Sequence, residues 1–158
     1  MIRKVKVPLL LILTLFYVSC AESRLGLDPS DPNTPLIQAA LSLNKAASGV
    51  GVYQATVIQT KEEGWLTLEQ AQDLLRPMFE VNELILRGDV LLRILNTKEP
   101  PYDLGQVQNI LTVILGLLEP PATFIPATHR ESFLELLTTV RQTVRVTQQL
   151  MELANVGE

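Results

Sequence analysis

Helix stop and start signals cut the chain after Pro35 into four segments, and most of what it can fold into follows from that division. Thr34 reads as an N-cap and Pro35 as the first helical residue, where a missing N–H costs nothing. The turn Glu62-Glu63-Gly64-Trp65 ends this segment near Lys61, and Thr67 with Gln70 three residues later forms a capping box that opens the second. Pro100-Pro101 ends the second segment beyond Asn96, Asp103 with Gln106 starts the third, and Glu119-Pro120-Pro121 stops it. Thr128-His129-Arg130-Glu131 repeats the capping-box pattern for the fourth.

Apolar residues recur at helical spacing within every segment. Leu36, Ala40, Leu43, Ala47 and Val50 mark one face of the first; Leu68, Ala71, Leu74, Leu75, Met78, Ile85, Val90, Leu91 and Leu95 run through the second. The third, with Leu104, Val107, Ile110, Leu111, Ile114, Leu115 and Leu118, is apolar on nearly every side and is expected at the centre of the core. Phe133, Leu137, Val140, Val144, Met151 and Ala154 form the buried face of the fourth. Only 5% of the residues are aromatic while 47% are hydrophobic, so the core must be aliphatic, which favours helices over sheet. The expected fold is all-α: about four helices in an antiparallel up-and-down bundle over residues 35–158. Pro77 predicts a kink or split in the second helix, and Gly49 and Gly51 predict either a close helix crossing or a break.

Ahead of the bundle the chain changes character. Ala21 to Pro35 (AESRLGLDPSDPNTP) has three prolines and almost no apolar periodicity, so residues 20–34 read as an extended tether. Fully extended at ~3.1 Å per residue it reaches about 45 Å. The first nineteen residues have a basic start, then the apolar run Val7 to Val18, then Ser19. That is the layout of a secretory signal, and a run of about a dozen residues is shorter than the roughly 20 needed to span a bilayer.

Tyr17-Val18-Ser19-Cys20 resembles the lipobox of bacterial lipoproteins, with Ser19 at the small position and Cys20, the only cysteine, at the lipid-bearing one. Tyr17 departs from the aliphatic residue usual there. The resemblance covers the leader alone. It implies that residues 1–19 are a signal peptide cut between Ser19 and Cys20, and that lipid on Cys20 holds the chain to a membrane. Firm attachment takes more than one acyl chain. Ala21 rather than Asp after the cysteine implies, by the Gram-negative pattern, sorting to the outer membrane facing the periplasm. The triplet Ser19-Cys20-Ala21 also permits an ordinary cut after Ala21, which would release a soluble periplasmic or secreted protein.

Arg3, Lys4 and Lys6 precede Cys20 and all seventeen acidic residues follow it, leaving ten basic residues against seventeen acidic, a charge of −7 after the leader. An acidic domain without a basic stripe excludes nucleic acid as the expected partner. With one histidine and no second cysteine, His/Cys metal clusters, and Cys-His or Ser-His pairs that would use different histidines, cannot be assembled. His129 reads as a solvated helix-start residue, and Glu62-Glu63, Glu80-Glu83 and Glu131-Glu135 as solvated carboxylates. Gln59 to Gln70 echoes the spacing of an EF-hand loop but puts Gln59, Lys61, Glu63 and Gln70 where calcium needs carboxylates. No catalytic residue, cofactor or metal is expected. Trp65 and Phe124, in loops, are the candidate contacts for a protein or peptide partner in the envelope, the alternative being that each caps the core. A second reading is a carrier of lipid or a small apolar ligand, opening near Pro77 and Gly49-Gly51, with Leu75, Leu111 and Leu115 lining the cavity.

Overall fold

Capping chemistry sets where the helices begin and end. The computed structural model describes residues 27, 31, 33–99, 101–119, 125 and 127–154. It holds α1 at Thr34–Glu62, α2 at Leu68–Leu95, α3 at Gly105–Leu117 and α4 at Ala127–Ala154, with no strand among the described residues. The chain divides into two units, Met1–Asp31 and Pro32–Glu158, and all four helices belong to the second. Ser19, Cys20, most of the tether and Phe124 lie outside the described residues.

The capping box of α2 forms as expected: the Gln70 amide donates to Thr67 Oγ1 at 3.2 Å, and the Thr67 amide donates to Gln70 Oε1 at 2.9 Å. The other three starts each shift by a residue or two. The cap of α1 is Asn33, not Thr34, which is buried inside the first turn. Asn33 caps nothing with its side chain, because its Oδ1 accepts instead from the Tyr102 hydroxyl at 2.7 Å. Asp103 Oδ1 accepts from the Gly105 amide at 3.2 Å, closing a local turn that delays α3 until Leu104 is its cap. Thr128 falls within α4, which already begins at Ala127. The split considered at Pro77 does not occur: α2 is one helix from Leu68 to Leu95, with Leu74 and Met78 buried on either side of the proline.

Burial alternates in steps of three and four along the long helices. On α1 the buried seam is Leu36, Ala39, Leu43, Ala46, Val50, Tyr53, Val57 and Thr60. On α2 it is Ala71, Leu74, Met78, Val81, Ile85, Gly88, Leu92 and Leu95. On α4 it is Phe133, Leu137, Val140, Val144, Thr147, Met151 and Ala154. That 3.5-residue period is the seam of knobs-into-holes packing, in which neighbouring helices cross at about 20°. The α1 seam uses Ala39 and Ala46, whereas the expected Ala40 and Ala47 are only partly buried. On α2, the expected core residues Leu68 and Val90 point outward.

These seams build an all-α four-helix bundle. Ser42 meets Thr143, Gly49 meets Val140 and Tyr53 meets Phe133, so α1 and α4 run antiparallel. α1 packs against both α4 and α2, while α3 packs on α2 and only lightly on α4. The central element is therefore α1, not α3. The reason is length: α3 has 13 residues against 28 or 29 in the others. At 1.5 Å per residue it lines about 20 Å of a bundle some 42 Å long. Its outer side, with Val113 49% exposed, stays in solvent despite being apolar. Gly88 lies against Leu43 of α1 and Ile110 of α3, which places α3 on the C-terminal half of α2. Leu118 and Ile125, from the connection after α3, are buried as well.

Candidate interaction surface

The turn between α1 and α2 is fixed by two adjoining motifs, and together they force one aromatic outward. At the end of α1, Gly64 takes φ +80°, the left-handed conformation that a side chain disfavours. The Gly64 amide donates to the Lys61 carbonyl at 3.0 Å and the Trp65 amide to the Thr60 carbonyl at 3.1 Å. This is the Schellman pair, which satisfies carbonyls left open at a helix end. Two residues further on, the Thr67 capping box starts α2. Between the motifs stand Trp65 and Leu66, whose directions are thereby set: Leu66 is 5% exposed, Trp65 53%.

The Trp65 indole does not hang free. Its ring centroid lies 5.4 Å from that of His129, tilted by 54°. This contact joins the α1–α2 turn to the first turn of α4, leaving His129 half-buried rather than fully solvated. Ile58, one helical stretch before the turn, and Leu68, just after it, are also exposed. Lys61, Glu62, Glu63 and Glu69 are exposed around them, so the rim is mainly acidic. The result is an apolar, partly rigid projection with carboxylates beside it. Aromatics held in this way, with little rotamer freedom left to lose, make effective contact points.

The other residues singled out in the sequence lie along the bundle as follows. Gln59 donates from Nε2 to Glu63 Oε1 at 2.9 Å, a polar contact inside the EF-hand-like stretch, and no metal-ligating cluster of His, Cys, Asp or Glu occurs among the described residues. The pairs Glu62-Glu63, Glu80-Glu83 and Glu131-Glu135 are all exposed. Of the two glycines at which the sequence places an opening for an apolar ligand, Gly49 lies against Val140, whose Cγ2 is 2.7 Å from where a Cβ would stand, and Gly51 has nothing within 4 Å of such a Cβ. Leu111 is fully buried and Leu75 and Leu115 partly so. No helix among the described residues is long and apolar enough to cross a membrane.

Sequence periodicity alone did not reveal a second apolar line on α2. Phe79 and Leu86 are each 63% exposed and Val90 is 55% exposed, at spacings that keep them on one side of the helix. The signal was present as an excess of apolar positions over what one seam can bury. Compared with protein-family models, with curated proteins and with solved structures, the chain matches none.

Proposed function

We propose that the chain is a lipid-anchored envelope lipoprotein whose helical bundle is non-catalytic and binds a protein or peptide partner at the Trp65 end. The observation that carries the binding half is the outward Trp65, half exposed yet held by the Gly64 turn and the His129 ring. The acidic rim supports a partner that presents an apolar side chain flanked by basic residues. The anchor rests on the leader: a basic start, a short apolar run and Ser19-Cys20, with the prolines of the tether behind them. Lipid at Cys20 would hold the bundle near the membrane, with Ala21 directing it to the outer membrane facing the periplasm, and raise its effective concentration toward a partner at that surface.

Crosslinking in cells, with the full chain and its Trp65→Ala variant, tests the binding half. A discrete protein captured by the natural chain and lost with Trp65→Ala, at unchanged helix content, is the expected result. Capture that is indifferent to Trp65, or no captured protein at all, overturns it. Acyl labelling with Cys20→Ser as control tests the anchor. Label that survives the substitution, or a mature chain beginning at Glu22, overturns the lipoprotein reading.

A further inference from the structure

The four helices are not equally held. α1, α2 and α4 have 28 or 29 residues each, and α1 packs against both of the others. α3 has 13 residues, packs on α2 and only lightly on α4, and buries four side chains, Val107, Ile110, Leu111 and Ile114. A helix of about that length is marginal on its own and persists through packing.

The α3 sequence does little to reinforce it. Asp103 Oδ1 accepts from the Gly105 amide, yet the cap residue itself, Leu104, makes no side-chain bond. The last turn of α3 has no basic residue, and Glu119 puts an anion just past it, against the helix dipole. By contrast α2 opens on a capping box with Glu69 in its first turn and closes with Arg93 in its last. Val107, Ile110, Thr112, Val113 and Ile114 of α3 are β-branched, which lowers helix propensity. Gly116 lowers it further without a packing reason, since nothing lies within 4 Å of a Cβ there.

The connections on either side of α3 are tied down. Ahead of it, the buried Tyr102 donates its hydroxyl proton to Asn33 Oδ1 at the start of α1, at 2.7 Å. After it, Ile125 is buried, and its carbonyl accepts from Arg130 Nη2 in the first turn of α4 at 3.0 Å. A short, weakly reinforced helix is thus strung between two fixed points.

We infer that α3 is a strap: it opens as a unit between the anchors at Tyr102 and Ile125, while α1, α2 and α4 stay packed as a three-helix bundle. When the strap is closed, Ile110 lies on Gly88 of α2, with Leu43 of α1 beside them. Opening exposes that apolar bed without separating α1 from α4. Segments that open below the global limit are those with few buried contacts, and α3 has the fewest buried residues of the four helices. The device is separate from the Trp65 surface, because Gly88 lies in the C-terminal half of α2 and Trp65 precedes its start.

Hydrogen exchange of the full chain, resolved by residue, tests the strap. Amides of α3 from Ile110 to Ile114 should exchange together, and at least about tenfold faster than those of Leu43, Ala46 and Val50 on the α1 seam. In low urea their protection should fall with a shallower slope than that of α1, because opening α3 exposes less surface than unfolding the chain. Gly49→Ala strains the α1–α4 crossing, which the closed and opened forms share. It should therefore speed exchange on the α1 seam by roughly fivefold to a hundredfold and leave α3 unchanged. The urea slopes are read on the natural chain and decide the question if Gly49→Ala does not fold. Equal rates and slopes in α3 and α1, or acceleration of both in step in Gly49→Ala, overturn the inference, because α3 would then open only with the whole bundle. Exchange graded from the ends of α3 inward overturns it too, as does loss of protection at Leu92 and Leu95 at the α3 rate, where α2 would be unwinding with it.

Discussion

Val140 Cγ2 occupies the space that a side chain on Gly49 would need, 2.7 Å from where its Cβ would stand. The glycine thus lets α1 and α4 approach closely, and its helix-propensity cost of about 1 kcal/mol is offset by that packing. Gly49→Ala recovers the propensity but drives a methyl into a β-branched side chain with little rotamer freedom, so destabilisation by about 1–3 kcal/mol is expected. Gly51, two residues on, has nothing within 4 Å of such a Cβ. Gly51→Ala should stabilise by about 0.5–1 kcal/mol. Opposite signs in parallel urea titrations check the pair, and equal effects would mean that the crossing is looser than described.

Gly64 gives a different kind of cost. Nothing lies within 4 Å of a Cβ there, yet its φ of +80° is one that L side chains seldom adopt. Gly64→Ala should therefore lose about 1–2 kcal/mol through backbone strain alone. Gly64→Asn should lose less, since Asn tolerates this region better. Thermal melts of the two variants would measure the order, and an Ala variant as stable as the natural chain would remove the Schellman turn from the account of how Trp65 is aimed.

Local rules and long-range contacts divide what could be read in advance. The Thr67 capping box depends on residues three apart and appeared in the sequence as it does in the structure. The α4 face from Phe133 to Ala154 was also legible, because bulky residues leave one burial pattern with no competitor. Alanine is different. Ala39 and Ala40 cost nearly the same buried or exposed, so the α1 seam could be placed a residue away from its true line. The cap of α1 moved for a reason 69 residues distant, the Tyr102 hydroxyl on Asn33. Gly88 gave no sign of its role, since what it meets is supplied by Leu43 and Ile110. At the candidate site Trp65 stood out by its type, but the His129 ring against it is a contact that no local pattern encodes.

The Tyr102–Asn33 hydrogen bond, 2.7 Å long, ties the start of α1 to the segment leading into α3. Tyr102 is 5% exposed, so its ring stays in place when the hydroxyl is removed. Tyr102→Phe should cost about 0.5–1.5 kcal/mol, the net worth of one such bond. The loss should show locally as faster hydrogen exchange in the first turn of α1 and around Gly105. Exchange unchanged at both places would mean that the bond does not hold these segments together.

Tyr53 makes the stability of the bundle depend on pH at the alkaline end. Its ring lies 5.3 Å from that of Phe133, nearly perpendicular at 78°, and is 2% exposed. Burial disfavours the phenolate and pushes the pKa from 10.0 up to about 12. The unfolded chain, by contrast, ionises this group near pH 10. Below that value both states hold the proton, and the contribution is constant. Between the two values the unfolded state releases it while the folded state keeps it, so stability falls as pH rises, by about 1.4 kcal/mol per pH unit from this residue. Above the folded value the fall levels off. Tyr53→Phe keeps the ring against Phe133 and removes the proton, so the difference between the two chains in urea titrations from pH 9 to 12 isolates the effect. Lysines and the other tyrosines contribute equally to both curves. Parallel curves across that window would show that the Tyr53 hydroxyl reaches solvent in the folded protein.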